Sequence, residues 1–256
     1  MYSHQDFLAE SDVSRETYDD FMRWYEVLQK WNRRINLVSQ TAMEEFWRRH
    51  ALDSWQLQAH IPQEARLILD MGSGAGFPGL ALSIACKYKG QGRVFLTESV
   101  TKKTHFLKTI IRDCQLPAHV WSGRIEDFTE AEARVIVGKS TVNSPIFAQS
   151  INQTIDQATD LAPAQAVVQH ADGGGRAIKQ TFCDVISARA FAPLPRLLTY
   201  AHPFWHKDTL GLFLKGENVS KELTEAKKYW KFNVEEIESR SQALGLILKV
   251  TDLTPL

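Results

Sequence analysis

Residues 67–84 read LILDMGSGAGFPGLALSI, and this stretch decides the fold of the chain. An apolar run ends at Asp70, and glycines follow it at positions 72, 74, 76 and 79. Pro78 stands before the next apolar run, and proline suits the first position of a helix because its missing N–H costs nothing there. The stretch therefore predicts a buried strand, a tight glycine loop that can approach a ligand, and a helix.

Strand-like and helical patterns alternate along the chain after residue 65. The apolar runs RLILDMG, GRVFLTES, AHVWSGR, CDVISARA and TLGLFLKG alternate with segments of helical spacing. Such alternation predicts a mostly parallel sheet that is covered on both faces. The last two runs, VEEIES and LGLILKVTDL, have no helix between them and predict a terminal antiparallel hairpin. We therefore expect an α/β fold with a seven-stranded sheet.

The N-terminal region has aromatic residues at helical spacing. Ser14 is the predicted N-cap of one helix, and Thr41 begins a capping box for the next. We expect residues 1–60 to form a helical extension that packs on the core, and residues 61–256 to form the main domain. An insertion at about 131–181, which is poor in aromatic residues, interrupts that domain.

The charge composition excludes a general electrostatic attraction to nucleic acid or membrane. The chain has 256 residues, with 30 Lys and Arg against 30 Asp and Glu, so its formal net charge is zero. Any attraction to RNA must therefore come from a local basic patch.

Cysteine usage and hydropathy argue against disulfide-bonded, zinc-binding and membrane-spanning classes of protein. The three cysteines contain no Cys-x-x-Cys pair, which argues against a disulfide framework or a zinc site. No run reaches the ~18 apolar residues of a membrane span, and the first residues are too polar for a signal peptide. We expect a cytoplasmic monomer without a metal and without membrane contact.

Two ligands compete for the glycine loop. Gly74, Gly76 and Gly79 match the dinucleotide fingerprint by count, so the glycines alone are weak evidence. The second strand ends at Glu98, about 20 residues on, where a carboxylate can accept both hydroxyls of a ribose. Asp70 favours S-adenosylmethionine, because a carboxylate at the loop can face the ammonium of that ligand or order the loop, but would repel a pyrophosphate.

The terminal hairpin also favours S-adenosylmethionine, since a dinucleotide enzyme usually adds further βαβ units. We therefore expect a Rossmann-like class I S-adenosylmethionine methyltransferase fold, with Asp70 and Gly74 among the cofactor-binding residues. A nicotinamide-dependent oxidoreductase is the alternative.

Seven stretches of the chain resemble one family, in the order of that family. They read KWNRRINLVS (30–39), RHALDS (49–54), LDMGSGAGFPGLALSI (69–84), ESVTKKTHFL (98–107), GRIEDF (123–128), DVISARAFAPL (184–194) and LKG (214–216). The chain resembles the bacterial small-subunit (16S) ribosomal RNA guanine-N7 methyltransferases, the RsmG or glucose-inhibited division protein B family. RHALDS and SARAFAPL are more specific than any glycine loop, whereas the insertion departs from the pattern of the family.

The resemblance implies that S-adenosyl-L-methionine methylates a guanine N7 of 16S ribosomal RNA in the small ribosomal subunit. It implies that Gly72 and Phe77 line the cofactor pocket and that Glu98 binds the ribose. By the same resemblance, Ile125 and Glu126 contact the adenine. A non-catalytic ribosome-assembly factor with the same fold is a further alternative.

Arg189 is the predicted catalytic residue. The resemblance places it beside the cofactor and the incoming base, and an arginine at the end of a buried strand needs a charged partner or a ligand. A guanine N7 carries a lone pair and no proton, so its methylation requires positioning and no general base. The sequence accordingly contains no convincing catalytic triad.

Several basic residues are predicted to bind RNA. The resemblance assigns phosphate contacts to Lys102, Arg124 and Lys215, and the clustering of positive charge adds Arg33 and Arg34. His50 and Asp53 lie one helical turn apart in RHALDS, which is compatible with a structural hydrogen bond or with a place on the RNA face.

Overall fold

A computed structural model describes residues 2–128, 183–241 and 245–256. Apart from Phe128, these residues belong to one compact unit that combines Met1–Asp127 with Phe182–Leu256. The predicted insertion at 131–181 lies outside the described residues, and the predicted division at residue 60 stays a prediction.

The described residues form one seven-stranded sheet with the order β3-β2-β1-β4-β5-β7-β6. Its strands are β1 Leu67–Met71, β2 Arg93–Glu98, β3 Ala118–Ser122, β4 Val185–Arg189, β5 Leu210–Lys215, β6 Trp230–Glu238 and β7 Leu246–Pro255. The first five strands are parallel, and β7 pairs antiparallel with both β5 and β6. The predicted mostly parallel sheet with a terminal hairpin is confirmed.

Helices precede the sheet and connect its strands. They are α1 His4–Ser11, α2 Arg15–Ile35, α3 Gln40–Glu44, α4 Asp53–Trp55, α5 Gly79–Lys89, α6 Thr101–Asp113, α7 Leu194–Ala201 and α8 Val219–Ala226. A π-helical segment, Phe46–Leu52, runs directly into α4, and short 3₁₀ turns cover Gln56–His60, Ile125–Asp127 and His202–Phe204. Among the described helices, none is long and apolar enough to cross a membrane.

Serine side chains cap the N-termini of α2 and α3, and one of these two caps differs from the prediction. The Ser14 side chain accepts from the Thr17 N–H and caps α2, as predicted. The cap of α3 is Ser39, whose hydroxyl accepts from the Ala42 N–H, so the predicted start at Thr41 was wrong. Two hydroxyl residues compete for this cap, and the earlier one wins because its backbone is extended.

The aromatic residues of the N-terminal helices pack behind the glycine loop. The Trp24 side chain is fully buried and stacks on Phe77, with 4.7 Å between the ring centroids. Phe46 contacts both rings edge-on, at 5.6 Å from Trp24 and 5.8 Å from Phe77. Such contacts between large apolar rings fix the loop from one side.

The strand register brings the functional side chains to one edge of the sheet. Asp70 in β1 pairs with Ser187 in β4, and Glu98 and Arg189 are the last residues of β2 and β4. In an open parallel sheet, ligands bind at this carboxyl edge, where the strand order reverses between β1 and β4.

Candidate active site

A cavity of about 850 Å³ opens at the carboxyl ends of β1, β2 and β4, and we call it the main cavity. Eight residues singled out from the sequence line it: Gly72, Gly74, Phe77, Glu98, Arg124, Ile125, Glu126 and Arg189. The lining does not include the other five: Asp70, Lys102, Lys215, Arg33 and Arg34. Most of the predicted cofactor residues are therefore brought together, whereas most of the predicted RNA contacts lie elsewhere.

The glycine loop needs glycine at position 72. Gly72 has a φ of +69°, and a β-carbon there would lie 2.9 Å from Cε2 of Phe191. Gly74 has a φ of +58°, and the nearest atom to a β-carbon there would be 3.9 Å away. Gly72 therefore allows the Phe191 ring to pack directly against the backbone of the loop. Gly74 leaves the space beside it in the main cavity open.

Glu98 is fixed by the backbone on both sides. One carboxylate oxygen accepts from the Gly74 N–H at 2.9 Å, and the other accepts from the Val100 N–H at 2.8 Å. The side chain is buried, yet it lines the main cavity. Because each carboxylate oxygen has a second lone pair, Glu98 retains acceptor capacity for a ligand hydroxyl.

Asp70 lies beneath the loop and away from the main cavity. Its carboxylate is fully buried, with Oδ1 accepting from the Ser187 hydroxyl at 2.8 Å and Oδ2 from the Gly79 N–H at 3.2 Å. Burial raises the pKa of Asp70 to about 6, against the hydrogen bonds that lower it. Of the two roles left open by the sequence, the geometry supports ordering of the loop and argues against direct contact with a cofactor.

Arg189 is surrounded by residues of the RHALDS segment. Its Nη2 lies 2.5 Å from Nδ1 of His50, and its Nε lies 3.7 Å from Oδ2 of Asp53. The guanidinium carbon is 5.5 Å from the centroid of the Phe77 ring, on which His50 also stacks at 4.7 Å. The two residues whose role the sequence left open thus both face Arg189.

The electrostatics of this cluster keep His50 neutral. Burial lowers the pKa of His50 to about 3, and the positive charge of Arg189 acts in the same direction. Since arginine only donates, Nδ1 of His50 is the acceptor and the ring proton is assigned to Nε2. Burial also lowers the pKa of Arg189, whereas Asp53 raises it.

Asp53 is held in place independently of Arg189. It is 3% exposed, and its Oδ1 accepts from the side chains of Gln56, Ser239 and Ser241. The Nη1 atom of Arg189 is buried and has no hydrogen-bond partner among the described residues. A buried donor without a partner is costly, and Nε2 of His50 in the same cluster also has no partner among the described residues.

Lys215 is paired inside the protein. Its ammonium donates to the Ala192 carbonyl at 2.8 Å and to the Glu222 carboxylate at 2.7 Å, and its side chain is 10% exposed. This geometry argues against the prediction that Lys215 contacts RNA phosphates, because its charge is already paired inside the protein. Lys215 instead fixes the segment that follows β4.

The other basic residues remain at the surface. Lys102 is exposed, and its neighbour Lys103 lines the main cavity in its place. Arg124 is exposed and forms an ion pair with Glu126 at 3.4 Å. Arg33 and Arg34 are exposed at the end of α2, beside a separate cavity of about 500 Å³.

The lining residues of the main cavity that were not singled out in the sequence include Phe191, Arg196 and Tyr200. The Phe191 and Tyr200 rings lie 5.5 Å apart, and the Arg196 side chain donates to the Tyr200 hydroxyl at 2.6 Å. The i,i+4 spacing of Arg196 and Tyr200 on α7 was an available signal. In the described part of the chain, no group of three or more His, Cys, Asp or Glu side chains is placed to hold a metal.

Comparison with known proteins decides the family. A family model described as "rRNA small subunit methyltransferase G" matches residues 17–145. The chain is 38% identical over 247 residues to a protein of Hyphomonas neptunium named "Ribosomal RNA small subunit methyltransferase G", which covers 96% of this chain and 93% of that protein. The chain belongs to the small-subunit rRNA methyltransferase G family. The resemblance stated from the sequence is confirmed.

Further similarities agree with this family and with the fold. A protein of the same name from Parvibaculum lavamentivorans is 36% identical, over 97% of this chain and 89% of its own length. Among solved structures, an O-methyltransferase from Bacillus cereus in complex with SAH is similar with a TM-score of 0.50 and 16% identity, covering 97% of this chain and 96% of that one. This structural likeness concerns the fold alone, and it confirms the class I methyltransferase architecture.

Proposed function

We propose that the protein transfers a methyl group from S-adenosyl-L-methionine to a guanine N7 of 16S ribosomal RNA in the small ribosomal subunit. The observation that carries the proposal is the convergence of the glycine loop, Glu98 and Arg189 on one cavity at the carboxyl edge of the sheet. The relatives named for small-subunit ribosomal RNA support the substrate class. The choice of guanine N7 rests on the resemblance of the quoted motifs.

The residues of the main cavity fit S-adenosylmethionine. A volume of about 850 Å³ suits a ligand of this size, since such sites usually enclose 300–1,000 Å³. Glu98 would hold the ribose through its remaining lone pairs, and the open space beside Gly74 would admit the ligand against the backbone. The buried Ile125 and the more exposed Glu126 offer an apolar surface and an acceptor for the adenine.

Methyl transfer to a guanine N7 requires the protein mainly to position the two reactants. When bound, S-adenosylmethionine supplies an electrophilic methyl group on a sulfonium. A guanine N7 attacks with its lone pair and releases no proton, so the protein needs neither a general base nor a metal. Arg189 and Phe77 line the cavity and would orient the partners, and positioning of this kind accounts for large rate effects.

The RNA contacts are assigned to the exposed cations. Lys102, Arg33, Arg34 and Arg124 are exposed and can meet phosphates, although Arg124 also pairs with Glu126 at the surface. Lys215 is instead paired with Glu222 inside the protein. A zero net charge makes such a local patch necessary, because phosphate contacts dominate affinity for nucleic acid. Because ribosomal RNA is the proposed substrate, we place the protein in the cytoplasm, and we keep the expectation that it is a monomer.

One assay tests the function directly. Small subunits that lack the modification are incubated with the protein and radiolabelled S-adenosylmethionine, and the labelled base is mapped. We expect label at a single guanine of 16S ribosomal RNA and none on already modified subunits. Calorimetry with S-adenosylmethionine and with NAD(H) distinguishes the methyltransferase from the oxidoreductase alternative, because only the oxidoreductase would bind NAD(H). A non-catalytic assembly factor would bind the subunits without transferring label.

A further inference from the structure

A groove of about 650 Å³, here the side groove, lies between the last turns of α2 and the start of α3. Its lining in the described part of the chain consists of Gln29, Asn32, Arg33, Asn36, Leu37, Val38, Ser39, Gln40 and Met43. Leu37 and Val38 also line the main cavity, so the two spaces share a border. The side groove is built mainly from the KWNRRINLVS motif, of which the proposed function uses only Arg33 and Arg34.

We propose that the side groove binds the single-stranded RNA next to the methylated guanine, with one unpaired base inside the groove. The inference rests on the proposed function and deepens it, because it names a binding site for the RNA outside the main cavity. An RNA strand whose target base enters the main cavity must continue past the edge of that cavity, and Leu37 and Val38 lead from it into the side groove. Sequence-specific binding to RNA usually takes single-stranded bases of this kind.

The charge of the side groove is complementary to RNA. Its described lining contains one cation, Arg33, and no carboxylate, although the chain as a whole has equal numbers of basic and acidic residues. Arg33 is exposed and forms no ion pair with another residue in the described part of the chain. An arginine in this state can bind the phosphate of an RNA strand that follows the groove.

Two amide side chains in the side groove are each held at one end, which leaves the other end available. Oδ1 of Asn32 accepts from the Val38 N–H at 2.9 Å, so this amide retains its NH2 group as a donor. Nε2 of Gln29 donates to the Tyr25 hydroxyl at 2.9 Å, so this amide retains its oxygen as an acceptor. These bonds orient a donor and an acceptor before any ligand binds, and both kinds of group are needed to read the edge of a base.

The floor of the side groove is apolar. Leu37 and Met43 are only 8% and 9% exposed, and Val38 between them is half-buried. An apolar floor between polar walls matches a nucleobase, which has apolar faces and carries its hydrogen-bonding groups on its edges. A phosphate needs several donors and no apolar surface, so we place the base on the floor and the phosphate beside Arg33.

The substitution Asn32→Asp tests the side groove while it preserves the local fold. The new carboxylate keeps an oxygen for the Val38 N–H, but it lacks the NH2 donor and adds a negative charge. In the radiolabel assay on small subunits that lack the modification, we expect the KM for the subunits to rise by at least ~10-fold. The kcat and the Kd for S-adenosylmethionine should stay within about 2-fold of wild type, because the change removes only binding of the RNA.

Gln63→Glu is the matched control, since it also converts an amide into a carboxylate. Gln63 is exposed and precedes β1, so it lies at the amino edge of the sheet, opposite the edge that holds the main cavity. We expect this variant to keep the wild-type KM, and thermal unfolding checks that both variants are folded. An equal rise in KM for both variants would mean that any added negative charge weakens binding, and would overturn the side groove as a site.

A cross-link distinguishes RNA from a ribosomal protein as the occupant of the side groove. Gln40→Cys places an exposed thiol there, and the three native cysteines are buried, so an azidophenacyl reagent attaches to the new residue. After irradiation with unmodified small subunits, we expect cross-links to 16S ribosomal RNA within a few nucleotides of the methylated guanine. Cross-links to ribosomal protein alone, or to RNA remote from that guanine, would overturn the inference.

The outcomes separate this inference from the proposed function. If the wild-type protein labels small subunits and folded Asn32→Asp keeps the same KM, only the side groove is overturned. A loss of S-adenosylmethionine binding by Asn32→Asp would also overturn it, since the groove would then belong to the cofactor site. If the wild-type protein labels no small subunit, the proposed function itself is overturned and the side groove falls with it.

Discussion

On one side of the main cavity, Glu98 and the glycine loop are joined by hydrogen bonds to the backbone, whereas on the other side Arg189 is held by side chains from the N-terminal region. The first side is built from residues close together in the chain. The second depends on a contact between His50 and Arg189 that spans 139 positions. The comparison teaches that the hydrogen bonds of the ligand-facing backbone are local, whereas those of Arg189 come from the N-terminal region. The two sides meet at Phe77, whose ring contacts Trp24, His50 and Arg189.

The largest effect is expected at Arg189. We expect Arg189→Ala to lower methyl transfer by about 10³-fold, because a buried donor at the reacting edge is lost. Asp53 keeps three side-chain donors, so the protein stays folded. The radiolabel assay measures the loss, and circular dichroism checks the fold.

Arg112→Ala is the matched control for this loss, since that side chain is 76% exposed. A second variant, Arg189→Ala combined with Asp53→Asn, removes the uncompensated carboxylate and should regain stability but no activity. Normal turnover by Arg189→Ala would remove this residue from the site.

The substitution Gly72→Ala tests the side of the main cavity that is formed by the glycine loop and Glu98. We expect it to lower the free energy of unfolding by about 3 kcal/mol, because the new methyl group meets Phe191 and the φ of +69° disfavours alanine. Gly90→Ala is the matched control, since Gly90 has a φ of +68° and open space around it, and should cost about 1 kcal/mol. Urea denaturation measures both, and equal losses would mean that Phe191 yields without cost.

The neutral state of His50 predicts how stability depends on pH. The folded pKa of about 3 lies below the unfolded value near 6.5, so the unfolded chain binds a proton first as the pH falls. Stability from this residue is complete above about pH 6.5 and declines below it, by about 2 kcal/mol at pH 5. Urea denaturation at pH 7 and pH 5 should show that His50→Gln reduces the decline by this amount, and an unchanged decline would contradict a buried neutral His50.

The smallest effect is expected from the acceptor role of His50. His50→Leu removes the acceptor for Nη2 of Arg189, and we expect kcat to fall by about 10-fold with little change in the Kd for S-adenosylmethionine. His50→Gln retains an acceptor oxygen and should recover most of the rate. Equal rates for the two variants would mean that His50 serves packing on Phe77 alone.

The sequence predicts best what depends on local spacing. The succession of strands and helices along the chain, the terminal hairpin and the positions of Glu98 and the glycine loop follow from period and motif, because each is encoded by residues close together in the chain. The partners of Arg189 could not be predicted, since nothing local in RHALDS indicates which distant strand it meets. The pairing of Lys215 with Glu222 could not be predicted for a related reason, because it appears only once β5 and α8 are in place.

The position of Asp70 under α5 explains why the glycine spacing of the loop resembles a dinucleotide-binding fingerprint. A β-carbon on Gly79 would lie 2.9 Å from Cγ of Asp70, so this third glycine of the dinucleotide-like spacing is required by an acid inside the protein rather than by any nucleotide outside it. Replacing Asp70 with a smaller residue would relax only part of the requirement for glycine at position 79, because Cδ2 of Leu96 would also lie 2.9 Å from the β-carbon. Glycine spacing alone would thus assign proteins of this kind to the oxidoreductases, for a reason that has nothing to do with what they bind.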